Sequence, residues 1–218
     1  MKWVKQSIHY WCPDTKEHKF LGQNVTVAIL DTGISPHPDF KDRILSFRDF
    51  SSTTGSSEKV LFSFSHFSPL IDNSGHGTHV AGILAGSGLL SSGTYAGIAP
   101  FCNLIIGKVL DQNGNGSIKN VINGIQWIRD IYTQFHIRII NISVGTRPDL
   151  SIHQKLLLLN AVESLWDLGL VVVVSAGNYG PAPGSVTVPG SSPKVITVGV
   201  PDTFPLIQIG RASCRERV

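Results

Sequence analysis

The segment "GLVVVVSAGN" (169–178) sets the tightest limit on the fold. Successive strand residues point to opposite sides, so a sheet carrying four valines in a row needs cover on both faces. "NVTVAILDTG" (24–33), "LIIGKVL" (104–110), "IRIINISVG" (137–145) and "KVITVGV" (194–200) share this character. Helix patterns lie between them. After Gly77, Val80, Ile83 and Leu84 keep helical spacing; Ser117 can cap a helix with Ile118, Val121, Ile122, Ile125 and Ile128 on one face; residues 152–168 carry Leu156–Leu159, Val162, Leu165 and Trp166. The alternation predicts an α/β fold: a doubly wound, mostly parallel sheet with helices on both faces. In such sheets the working crevice lies beyond the carboxyl ends of the strands. Asp31, Ser143–Gly145 and Asn178 fall at such ends, and His76 at a helix start.

At 218 residues, 42% of them hydrophobic, the chain can bury one sizeable core, which fits a single domain. The net charge is only +3, and no dense basic run precedes the C-terminal tail, which argues against nucleic acid as a partner. No apolar run is long enough to span a bilayer, so no membrane partner is expected. Cys12, Cys102 and Cys214 are scattered, odd in number and without a C-x-x-C pair, which disfavours a disulfide framework and favours a reducing compartment. The first twenty residues, "MKWVKQSIHYWCPDTKEHKF", lack the apolar core of a signal peptide, so the expected location is the cytoplasm. Residues 51–69 are Ser-rich and read as a surface loop.

Several polar residues invite chemistry, each with a plainer explanation beside it. Asp31 ends an apolar strand, where a carboxylate is costly to desolvate unless partnered; it could equally be a turn aspartate bonding its own backbone. Asp-Thr-Gly is also the aspartic-protease motif, but that chemistry needs two such aspartates on an all-β fold, and the chain has one. In "DNSGHGTHVAG" (72–82), His76 and His79 could bind a metal with Asp72, yet no H-E-x-x-H or later ligand cluster supports them. Gly75 and Gly77 suggest instead that something approaches the backbone closely. His79 lies roughly 300° around the helix from His76 and is assigned to the core, leaving His76 as the candidate base. Asn178 could donate to a developing oxyanion, or simply occupy a turn before Gly180-Pro181. "DQNGNG" (111–116) begins like a calcium loop, but the twelfth position, where an EF-hand needs glutamate, is Ile122; the segment reads as a strand-to-helix loop bordering the crevice. A nucleotide-binding reading wants G-x-G-x-x-G or G-x-x-x-x-G-K-[ST] after the first strand, and "LDTGISPHPDF" offers neither.

Taken in order, "VAILDTGISPHPDF", "DNSGHGTHVAGILAG", "YAGIAP", "IINISVG" and "VVVVSAGNYGP" resemble the subtilisin-like serine proteases along nearly all of residues 24–200, with the non-secreted bacterial branch most similar. The resemblance implies a subtilisin-like fold and an endopeptidase acting on polypeptides bound in extended conformation. Asp31 would orient and stabilise the imidazolium, His76 act as general base and then acid, and Asn178 donate to the oxyanion. Ser143, Val144 and Gly145 would pair with the substrate as an added strand, and Gly177 would wall the pocket for the residue before the scissile bond. Tyr179 sits where the family varies its preference and implies a pocket for apolar or aromatic side chains.

The family's G-T-S-M-A nucleophile motif is not within the 218 residues. "GSSP" (190–193) cannot stand in for it, because Pro193 keeps a helix from beginning at the serine as required. The expectation is therefore a peptidase domain at 24–200 whose C-terminal part is missing, preceded by an extension at 1–23 and followed by a tail at 201–218 foreign to the pattern. The serine would lie downstream, and the chain as given would be inactive. The alternative is a pseudoprotease that captures peptides without cutting them. Calcium is the one cofactor the family suggests, in a loop after the His76 helix; here "GSGLLSSGTY" (86–95) contains no carboxylate.

Overall fold

The computed structural model describes residues 20–51, 72–146 and 149–200, together with Lys5. Most of the Ser-rich segment, the tail after 200, most of the N-terminal extension, and Cys12 and Cys214 lie outside the described residues. Six strands form one sheet: β1 (Thr26–Asp31), β2 (Ile44–Asp49), β3 (Asn103–Lys108), β4 (Ile137–Ile142), β5 (Val171–Ser175) and β6 (Ile196–Val198). Their spatial order is β2-β3-β1-β4-β5-β6, and every pairing is parallel. The expected doubly wound α/β architecture is present. The order reverses at β1, whose neighbours are β3 and β4, so the crevice of such a fold opens where β1 ends.

β1 shows why its sequence suits the centre. All six residues are buried; Ala28 and Leu30 face one core and Val27 and Ile29 the other. The larger core is closed by two helices, α2 (Ile118–Ile131) and α3 (Ile152–Asp167). Ser117 Oγ accepts from Asn120 N at 3.1 Å, and the apolar stripe that begins there buries Val121, Ile125 and Ile128. Ser151 and Gln154 form a reciprocal capping box at the start of α3. The opposite core is closed by α1 (His76–Ala85). It meets the sheet through its small residues, Gly77, Ala81 and Ala85, whereas Ile83 of the expected stripe is exposed. Small side chains at i, i+4 and i+8 let this helix lie close to β1.

Three features differ from the sequence reading. β2, "ILSFRD", went unrecognised: it is an edge strand, mostly half-buried, and its polar residues break the apolar run. The strand expected at 137–145 ends at Ile142, because the chain then turns to other partners. The double cover predicted for the valine run holds only in part: Val172 and Val174 are buried, but Val171, Ile196 and Val198 are exposed among the described residues.

Ile125 is 1% exposed in the larger core and Ile83 is 41% exposed. Ile125→Ala is expected to cost about 2–5 kcal/mol, and Ile83→Ala well under about 1 kcal/mol, as read from urea denaturation midpoints.

Candidate active site

The site begins with a charge that needs partners. Asp31 ends β1 at 0% exposure. Its Oδ1 accepts from Thr32 N at 2.7 Å and lies 2.7 Å from His76 Nδ1. An ionised carboxylate only accepts, so this contact fixes the hydrogen on Nδ1. Nε2 of the neutral ring then carries the lone pair. The His76 side chain is 25% exposed, which leaves the ring at the edge of the crevice with its carboxylate beneath. Asp31 Oδ2 is buried and has no partner among the described residues.

The start of α1 explains how the ring is held. Its N-cap position is Gly75 at φ 85°, which has no side chain to offer the first amides. Those amides bond across space instead. Gly77 N donates to Thr32 Oγ1 at 2.9 Å, and Thr78 N donates to Asp72 Oδ2 at 2.8 Å. Thr32 Oγ1 itself donates to Asp72 Oδ1 at 2.8 Å, and Gly75 N reaches the same oxygen at 2.9 Å. Asp72, only 4% exposed, thus ties the turn after β1 to the helix that carries His76. Burial pushes its pKa up, but hydrogen bonds from the Thr78 hydroxyl and amide, the Gly75 amide and the Thr32 hydroxyl outweigh that, and the carboxyl lies below its ordinary value. Buried Lys108 donates through Nζ to Thr32 O, adding a cation to the same cluster.

Gly77 is required by contact. A Cβ there would sit 2.2 Å from Gly33 O and 3.2 Å from Asp31 Oδ1. The close approach that the glycines suggested is therefore the turn after β1. His79, assigned to the core from sequence, is instead exposed, because α1 buries its glycine and alanines and turns this position outward. The metal reading finds no support in the geometry: His76 is bonded to Asp31, and Asp72 is surrounded by N–H and O–H donors.

The remaining predicted residues lie past the ends of β4 and β5. Asn178 is exposed in the loop after Ser175, close in sequence to Gly177 at φ 89°. Ser143–Gly145 run on beyond Ile142, with Asn141 Nδ2 donating to Ser143 Oγ at 2.8 Å and Val144 buried. A short strap, Thr187–Val188, crosses between these two segments. Thr187 N donates to Ala176 O at 3.1 Å, while Thr146 N and Oγ1 donate to Val188 O at 3.2 and 2.8 Å. The Thr187 hydroxyl is buried and has no hydrogen-bond partner among the described residues. A Cβ on Gly177 would lie 2.5 Å from that oxygen, and one on Gly145 would lie 3.3 Å from it.

Sequence reasoning treated Asp72 only as a possible metal ligand and passed over Thr32 and Thr187. An aspartate shortly before a glycine-started helix is a readable capping signal. Nothing local marks Thr187, because its partners are distant in the chain.

Calcium does not suit the loop after α1. The carboxylate that reaches it, Asp39, accepts from Gly88 N at 2.9 Å and Leu90 N at 3.4 Å. Amide hydrogens aimed at the carboxylate take the place a cation would need. Among the described residues no three His, Cys, Asp or Glu side chains gather as a metal set. No helix among them is long and apolar enough to cross a membrane.

The profile of the subtilase family, Peptidase S8, matches residues 22–211. Serine protease AprX of Bacillus subtilis (strain 168) is 43% identical over 186 residues, covering 83% of this chain and 39% of that protein. The major intracellular serine protease of the same strain is 36% identical over 183 residues, covering 82% of this chain and 51% of that protein. Among solved structures, sphericase superposes with a TM-score of 0.68 at 29% identity, over 81% of this chain and 53% of that one. The chain belongs to the subtilase family, and its fold is subtilisin-like. It spans 39% and 51% of the length of the two Bacillus relatives.

Two expectations follow from the capping network. Gly77→Ala should destabilise the fold by about 1–3 kcal/mol and shift the His76 ring resonances, as seen by urea titration and NMR. Because the folded Asp72 carboxyl is the stronger acid, its stabilisation is complete above the ordinary carboxylate value of about 4 and is lost as pH falls through its lower folded value. Urea midpoints followed from about pH 6 to about pH 2 should fall on that acid limb, and Asp72→Asn should flatten the fall.

Proposed function

We propose that the chain forms the acid–base half of a serine endopeptidase, with Asp31 as the orienting carboxylate, His76 as the general base and Asn178 as the oxyanion donor. The observation that carries this reading is the 2.7 Å bond from His76 Nδ1 to the fully buried Asp31. A serine hydroxyl beside His76 would lose its proton to Nε2 as its oxygen attacks the substrate carbonyl. The imidazolium so formed is stabilised by Asp31, and the Asn178 amide donates to the carbonyl oxygen as it gains charge. His76 then gives the proton to the leaving amine, and water repeats the sequence on the acyl-enzyme. Ser143, Val144 and Gly145 pair with the extended polypeptide, and Gly177 lines the wall opposite Gly145.

In this reading the peptidase domain includes residues 24–200, residues 1–23 form an extension before it, and 201–218 form a tail after it. The family match continues to residue 211. Residues 1–218 contain no G-T-S-M-A segment, so alone they lack a nucleophile and do not hydrolyse peptides. The substrates are polypeptides; nucleic acid and membrane have no part in the reading. A cytoplasmic setting accords with the free, buried Cys102 and with a relative that is intracellular by name; cell fractionation that found the protein outside would refute it.

The test compares the 218-residue chain with a chain completed by a subtilase segment bearing G-T-S-M-A. A fluorophosphonate probe should label only the completed chain. Labelling of the short chain contradicts the proposal; a folded completed chain that resists labelling favours a peptide-capturing pseudoprotease. In the completed chain, His76→Ala should abolish labelling. Asn178→Ala should lower kcat by about 10²–10³-fold with little change in KM, an order of magnitude taken from subtilisin itself.

A further inference from the structure

The chain has a second concave site, at the end of the sheet opposite the crevice. A cleft of about 830 Å³ opens there between the starts of β1, β2, β3 and β4 and the turn that leads into β5. The six residues of β1 separate it from Asp31, a distance of about 20 Å along the strand.

Two irregularities of the sheet sit at its mouth. Between β2 and β3 the register steps from Ile44 opposite Leu104 to Ser46 opposite Ile105, so Leu45 is an extra residue. Between β1 and β4 it steps from Thr26 opposite Ile137 to Val27 opposite Ile139, so Arg138 is an extra residue. The cores reflect both bulges. Ile137 and Ile140 both enter the larger core, and Ile44 and Phe47 both face the other, where strict alternation would part each pair. Bulges are rare in parallel pairs and re-aim side chains where they occur. Both extra residues line the same cleft.

The lining suits an anion with an apolar body. Its floor is an outcrop of the larger core: Leu170 is buried in it, and Leu45 and Phe135 pack half-buried against it. Arg138 is exposed and makes no hydrogen bond or ion pair among the described residues. None of the described residues that line the cleft is Asp or Glu. The end of α2 borders it, but its carbonyls are taken, Ile131 O by Phe135 N at 3.1 Å and Tyr132 O by Ile137 N at 2.9 Å. A guanidinium without a counter-charge presents a fork of donors that matches a carboxylate. Asn24 and Asn103, also on the lining, offer donors and acceptors for main-chain amides.

We propose that this cleft binds the C-terminus of a peptide whose last residue is apolar: Arg138 pairs with the terminal carboxylate, and Leu45, Phe135 and Leu170 receive the last side chain. The asparagines favour a peptide over a fatty acid, which has no amides to bond them. Peptides with new carboxyl ends are what the proposed hydrolysis releases, but the binding does not depend on that reading.

The 218-residue chain is titrated with acetyl-Ala-Ala-Leu as the free acid and as the C-terminal amide, and with decanoate, and amide shifts are followed by NMR. The acid should move the Arg138 and Gly169 resonances and bind at least about tenfold more tightly than the amide, the size of a hydrogen bond to a charged group. Arg138→Gln, at an exposed position, should remove that advantage. Arg138→Lys keeps the charge without the fork and should retain part of it. Equal binding of acid and amide overturns the inference, as do shifts confined to Gly145 and Gly177, no saturable shift at all, or an unchanged advantage in folded Arg138→Gln. Decanoate binding as tightly as the acid peptide overturns the assignment to peptides. The comparison of acid with amide is made on the unaltered chain, so it decides the matter even if a variant does not fold.

Discussion

Everything in the crevice depends on one buried carboxylate network that joins the turn after β1 to the first turn of α1. Asp72 holds Thr32, Gly75 and Thr78 together, and Thr32 in turn receives the Gly77 amide. Hydrogen bonds to an ionised acceptor are shorter and stronger than neutral ones, and those of a buried carboxylate are expensive to lose. Through them His76 rests on Asp31 without a flexible link between the strand that bears the carboxylate and the helix that bears the imidazole. Gly77 is the space that makes the docking possible.

The sheet supplies the frame for this arrangement. β1 is central and buried on both faces, so Asp31 projects from the most constrained strand of the molecule. β4 and β5 end on the same rim, and the chain beyond each carries the segments proposed to bind peptide. The Thr187–Val188 strap then spans those two segments by main-chain bonds, which makes their spacing a property of the backbone rather than of side-chain rotamers.

Much of this was legible in the sequence, and the exceptions have physical causes. The central strands and α2 were readable because their apolar patterns are pure; β2 was not, because an edge strand mixes polar residues into a half-buried surface. Asp31 and His76 stood out by position and motif, and their contact emerges from two segments separated by 45 residues. Asp72 was visible but given the wrong task, since a metal ligand and a capping acceptor look alike in one dimension. His79 was placed inside because it lies on a different face of the helix from His76, whereas the face that α1 buries is that of Gly77, Ala81 and Ala85. Thr187 could not be found at all, because its contacts are with Gly145 and Gly177, which are distant in sequence and near in space.

The tertiary capping of α1 has a consequence for the order in which the molecule acquires its chemistry. The helix contains two glycines and several β-branched residues and brings no cap of its own, so its intrinsic tendency to form is low. It becomes favourable only when the finished end of β1 is there to receive its amides. Imidazole and carboxylate are thus joined in the same cooperative event that completes this side of the core, so a half-folded chain does not hold the pair together.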